Sequence, residues 1–203
     1  MKPYAVSTSV LLLAAIVSAA PAHATVFCVR KNARTGAIFE GTTIHLRTTC
    51  RTSEIVLPFS IEDGGTTVRF TGVNVQIVSG SGATDAPVNG TGNLIVGYNE
   101  ARGGGNDRSG SHNVVVGTQN NFKRFGGIVV GKFNEIGGDY ASVTGGNQNT
   151  ASQRYSSVTG GENNVATGSA ACVSGGNGVT QSANDGWAAG SIGTLQTGKF
   201  ASQ

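Results

Sequence analysis

The five-residue phrase SVTGG at 142–146 returns as SVTGG at 157–161 and as CVSGG at 172–176. With the closing glycine of each phrase as a marker, the series runs Gly97, Gly117, Gly131, Gly146, Gly161, Gly176 and Gly190, with gaps of 20, 14, 15, 15, 15 and 14 residues. A fixed short period means stacked units, each too small to bury an apolar face alone. Such a unit holds two strands of about five residues and two tight turns, and has no room for a strand plus a helix. The repeat predicts an all-β fold: a parallel β-roll, or β-solenoid, of about seven 14–15-residue rungs. The 32 glycines among 203 residues agree, since turns and thin β-layers use them heavily.

Residues in equivalent positions form columns. Three before the marker stand Leu94, Val114, Ile128, Val143, Val158, Val173 and Trp187. One before it stand Val96, Val116, Val130, Gly145, Gly160, Gly175 and Ala189. Strand alternation then puts these two positions inside and the one between them outside. The outside position is Thr144, Thr159 and Ser174 in the late rungs, but Ile95, Val115 and Val129 in the early ones. Strands apolar on both faces are buried on both faces. Ile95, Val115 and Val129 are therefore expected at an interface, either with an N-terminal cap or with another copy of the chain. A second inward column is expected at Phe122, Ile136, Ala151, Ala166 and Leu195. Asn120, Asn134, Asn149 and Asn164 recur three after the marker, where asparagine can build a hydrogen-bonded ladder or take left-handed turn geometry.

The stretch SVTGGNQNTASQRYSSVTGGENNVATG (142–168) resembles the head repeats of YadA-like trimeric autotransporter adhesins, and NLIVGYNE and HNVVVGTQNNF look like variant copies. The resemblance covers about residues 88–193. It implies a left-handed parallel β-roll, a homotrimer, and a surface used for adhesion to extracellular matrix or other cells. No long heptad stalk follows the repeats, and no set of alternating membrane strands precedes Gln203, so the expectation is a head without its own anchor.

Ahead of the repeats, Lys2, the apolar run VLLLAAIV (10–17) and the AHA site (22–24) read as a signal peptide over 1–24, cleaved before Thr25. The apolar run is shorter than the roughly 20 residues of a membrane span, and no later segment is apolar enough for one. We expect a secreted or cell-surface protein. In that oxidising setting Cys28 and Cys50 read as a disulfide, with no metal site and no cofactor, and Cys172 as a small packed residue. Residues 25–86 lack the repeat and read as a small β-rich cap, with a strand–turn–strand in VRKNARTGAIFE and one or two strands in TTVRFTGVNVQIVSG. The roll domain is placed at 87–203.

The net charge of +3 is mild and scattered, which argues against nucleic acid as a partner. There is no GxSxG elbow, HExxH or phosphate loop, and the acidic residues do not share a column, so no enzyme is expected. Two surfaces are candidates for binding. The long gap between Gly97 and Gly117 places an insertion at 101–113, with Arg102, Asp107, Arg108 and His112 as its polar groups. Tyr140 and Tyr155 share a column and form a candidate aromatic strip, with Tyr98 and Trp187 as further rings. Two functions follow: an adhesin-like β-roll with a stiff contact surface, or a soluble extracellular carbohydrate-binding module with a glycan ligand.

Overall fold

The chain is all β, in a computed structural model that describes residues 26–35, 37, 43–191 and 194–198, the last five and Ser191 as backbone only. The expected signal peptide lies outside the described residues. Two compact units divide the chain, the first ending at Val75 and the second beginning at Gln76. Among the described residues no helix is long and apolar enough to cross a membrane.

In the first unit β1 (Val26–Arg30) is the centre of a three-stranded antiparallel sheet, between β2 (His45–Arg47) and β3 (Glu54–Val56). Cys28, buried on β1, is disulfide-bonded to Cys50 with 5.5 Å between Cα atoms. The bridge ties the central strand to the loop before β3. Next, β4 (Phe59–Glu62) and β5 (Thr67–Phe70) form a hairpin turned at Asp63–Gly65. The alternation that begins in β5 continues through Val73, Val75 and Ile77, yet those residues join no strand.

The second unit is the roll. One sheet stacks β6 (Leu94–Val96), β7 (Val114–Thr118), β9 (Ile128–Lys132), β11 (Ser142–Val143), β13 (Ser157–Val158), β15 (Cys172–Val173) and β17 (Trp187–Ser191) in parallel. An antiparallel β18 (Thr194–Gly198) pairs with β17 and closes that end. The other sheet stacks β8 (Asn121–Phe122), β10 (Glu135–Ile136), β12 (Thr150–Ala151), β14 (Val165–Ala166) and β16 (Thr180–Gln181). Seven strands face five, so complete two-sided turns number about five rather than seven. Among the described residues the outermost parallel strands, β6 and β17, have no partner strand in the second sheet.

The core is one continuous column pair. Val115, Val129, Val143, Val158, Val173 and Ala188 line up from the first sheet against Phe122, Ile136, Ala151 and Ala166 from the second. The second column agrees with the sequence expectation over these rungs, and Gln181 continues it, buried, where the pattern falters. Leu195 has no described side chain.

The parity of the first column is correct at Val143, Val158 and Val173. It is reversed in the early rungs and again at Trp187, which pairs with the outward Cys172 while Ala188 takes the core position. Val115 and Val129 are 2% and 0% exposed, in the core rather than at an interface; Ile95 pairs in the same column but, on the outermost strand, is 38% exposed. The cause is an added residue. Val129 pairs with Val143, and Lys132 bridges Asn147, so two residues (Val130, Gly131) lie opposite three (Thr144, Gly145, Gly146). This is a bulge at the β9–β11 junction, and the later rungs carry the same added residue in register with one another, 144–146 opposite 159–161 and 159–161 opposite 174–176.

The marker glycines themselves stack. At Gly131, Gly146 and Gly161 φ is +108°, +85° and +85°, and a Cβ there would lie 2.0–2.2 Å from the carbonyl oxygen of the marker in the next rung. No residue but glycine fits such a backbone.

Candidate functional site

With β6, β7 and β9 the right way round, a different set of residues faces out. Leu94, Val114 and Ile128 pair side by side in one column, and Val96 and Val116 start a parallel one that Val130 continues. Exposure is 46% at Leu94, 54% at Val96 and 42% at Ile128; Val114 is exposed too, while Val116 and Val130 are half-buried. Six apolar side chains thus share one face over three rungs. In the next three rungs the same two columns hold Ser142, Ser157 and Cys172, and Thr144, Thr159 and Ser174.

The polar columns are bonded along the stack. Thr144 Oγ1 donates to the Thr159 carbonyl at 3.0 Å, and Thr159 Oγ1 to the Ser174 carbonyl at 2.7 Å. Trp187 Nε1 donates to Ser174 Oγ at 2.6 Å. Cys172 is half-buried beside Ser157, as its repeat mates imply. The face therefore changes along its length from apolar to hydroxyl-bearing. A patch of clustered side chains of this kind, rather than a scattering of single ones, marks an interaction surface.

The asparagines are the interior frame behind that face. The backbone N–H of Asn134, Asn149, Asn164 and Val179 each donates to the Oδ1 of the asparagine one rung earlier, at 2.8–3.0 Å. Each Nδ2 donates twice more, to the carbonyl four residues back and to the marker glycine of the next rung. Every polar group of these amides has a partner, so burial costs them little. Their role is structural.

The four insertion residues do not converge on one site. Arg102 is drawn onto the roll: its guanidinium donates to the carbonyls of Gln119 at 2.7 Å and Asn134 at 2.5 Å, and pairs with Glu135 at 3.5 Å. Burial lowers its pKa from the ordinary value, against the pull of Glu135. Glu135 also takes Lys123 Nζ at 2.6 Å and Asn121 Nδ2 at 3.0 Å. Burial pushes the Glu135 carboxyl up, but Lys123, Asn121 and Arg102 together outweigh it and hold the pKa below the ordinary value. Asp107 accepts the Ser109 N–H and hydroxyl, and Arg108 donates to the Asn99 carbonyl. His112 bonds to Ser79 and Thr84. Arg102 and Arg108 fasten the insertion, Asp107 holds its own turn, and His112 holds residues 79 and 84 instead.

The aromatic strip exists but its faces are in use. Tyr140 and Tyr155 stack at 5.7 Å between centroids and 15° between planes, Phe125 meets Tyr140 edge-on at 5.2 Å, and Arg154 lies over Tyr155 at 4.6 Å. A sugar needs a free ring face, and this column presents mainly edges. Tyr98, 94% exposed, makes no ring contact with it.

Sequence reasoning missed Leu94, Val96, Val114, Val116, Ile128 and Val130 as the outward set. The signal lay in the doubled glycines, which move the late strands by one position relative to the marker. Comparison with known proteins finds no matching family model, no similar curated protein and no similar solved structure.

Proposed function

We propose that the chain is exported and acts as an adhesin-like β-roll, a stiff extracellular contact module that assembles as a homotrimer through the outward face of its first three rungs. The observation that carries this is the six-residue apolar face of β6, β7 and β9, set against the hydroxyl-bearing face of the next three rungs. Covering what remains exposed of each side chain is worth about 1 kcal/mol, half the full burial of such a residue. Resemblance of the repeats to trimeric adhesin heads supports a second and third copy as the cover. The disulfide fits an oxidising compartment. The bonded interior ladder supports stiffness, which a contact surface needs because ordering costs would otherwise weaken binding.

Light scattering on the mature chain tests the assembly. A trimer mass is expected for the wild type and a folded monomer for the Val114→Asp, Ile128→Asp double variant. A wild type that stays monomeric at micromolar concentration refutes it. Binding to immobilised matrix proteins and cells, beside a glycan array, tests the contact role; binding only to glycans would favour the carbohydrate module.

A further inference from the structure

The imidazole of His112 brackets the segment that leads into the roll. It sits at the end of the insertion, two residues before β7, with φ +56°. Its Nε2 lies 2.9 Å from the Ser79 backbone nitrogen, and its Nδ1 lies 3.2 Å from the Thr84 carbonyl oxygen. A backbone N–H can only donate, so Nε2 must be bare. The single ring proton is therefore on Nδ1, donating to Thr84. The ring and residues 76–84 together wall an open cavity of about 580 Å³.

We propose that His112 is an acid-sensitive latch, which holds the 79–84 loop against the roll when neutral and releases its Ser79 end when protonated. Protonation places a second N–H at Nε2, facing the Ser79 N–H, so an attractive contact becomes a repulsive one while the Thr84 bond survives. Proton uptake therefore favours the open loop: the latch is intact while the ring is neutral and is lost when acid places the second proton on it. Histidine is the side chain whose charge ordinarily changes between pH 5 and 8.

The surroundings leave that switch to the ring alone. Residues 76–84 contain no Asp, Glu, Lys, Arg or second His. Asp85 follows Thr84 and takes part in neither bond. On the ring's own loop, Asp107 is held by Ser109 and Arg108 by the Asn99 carbonyl. Next to Phe125, which bridges Ser111, Arg124 is paired with Asp139 at 2.7 Å. The Ser79 carbonyl is also held by Asn89 Nδ2 and Thr91 Oγ1, neither of which titrates. Release is thus local, and the roll stays folded. Gly80 and Gly82, at φ +80° and +88° with nothing near a Cβ, give the freed loop room to move.

Amide exchange resolved by NMR on the whole chain, corrected for intrinsic rates, tests the latch at pH 7.5 and 5.5. The Ser79 amide of the wild type is expected to lose protection about tenfold at the lower pH, the scale of one hydrogen bond. Core amides such as Val143 should not change. His112→Gln keeps an acceptor that does not titrate, so its Ser79 amide should show no such pH step. Ring ¹⁵N shifts give a check independent of any variant: Nδ1–H with bare Nε2 at pH 7.5, and a Ser79 shift that follows the ring's titration. Unchanged Ser79 protection in the wild type, an Nε2–H ring at pH 7.5, or an equal step in His112→Gln overturns the proposal.

Discussion

Removing one rung of the asparagine ladder should cost far more than its size implies. Asn149→Ala deletes three hydrogen bonds: Nδ2 to the Gly145 carbonyl at 3.1 Å, Nδ2 to the Gly161 carbonyl at 2.9 Å, and Oδ1 from the Asn164 N–H at 2.9 Å. The three are not equal. Gly161 keeps a second donor, the Asn147 N–H at 3.0 Å, and Gly145 is half-buried, so both carbonyls retain a partner or access to water. The Asn164 N–H has neither, since Asn164 is fully buried. An orphaned buried donor costs about 1–3 kcal/mol, and each lost bond about 0.5–1.5 kcal/mol. The total expected is about 2–4 kcal/mol, from a residue in no strand and no apolar cluster. Urea denaturation measures the total, and amide exchange locates it: Asn164 should lose protection first. A loss under about 0.5 kcal/mol with Asn164 still protected would mean water replaces the amide, and would refute the frame role.

Three further expectations follow from the register, the glycine column and the charge cluster. Val129→Asp should prevent the roll from folding, because it puts an unpaired carboxylate among fully buried side chains at a cost above about 4 kcal/mol, while Val130→Asp next to it should leave circular dichroism unchanged. Equal effects from the two would overturn the assigned parity. Gly146→Ala forces a Cβ to 2.0 Å from the Gly161 oxygen at φ +85°, and a thermal melt should show a loss of about 2–4 kcal/mol from backbone strain and overpacking; a melt like wild type would show that the stack can spread. Glu135 is held below the ordinary carboxylate value, so its stabilisation is complete above pH 4.5 and is lost as pH falls through its lower folded value. Stability measured across that window should fall less steeply with acid in Glu135→Gln than in wild type.

The period, the inward second column and the asparagine column were legible because each recurs at one offset from a marker that truly stacks. The Cys28–Cys50 pairing was legible because a chain read as exported leaves few other uses for two early cysteines. The outward face was not, although its residues were all in view. Counting back from Gly131 and from Gly146 looks equivalent in the string, and LIV, VVV and IVV are apolar at every position, so alternation cannot choose a face for them. The insertion residues misled for another reason. Arg102, Asp107, Arg108 and His112 are polar groups in an added loop, which is what a binding loop looks like, and also what a loop needs to fasten itself down. Only distances separate the two.

The sequence by itself determined that this chain is a stack of short parallel strands, because a repeat of that length with glycine at one fixed place admits little else. It also set which columns are apolar and which are hydroxyl-bearing. The tertiary structure decided which way those columns point. A strand's side chains alternate with period two, so the one residue added before the marker, at Gly145, Gly160 and Gly175, reverses the parity between marker and strand, and pairing across rungs alone reveals it. Val115 and Val129 went to the core for that reason, and Leu94, Val114 and Ile128 to the surface.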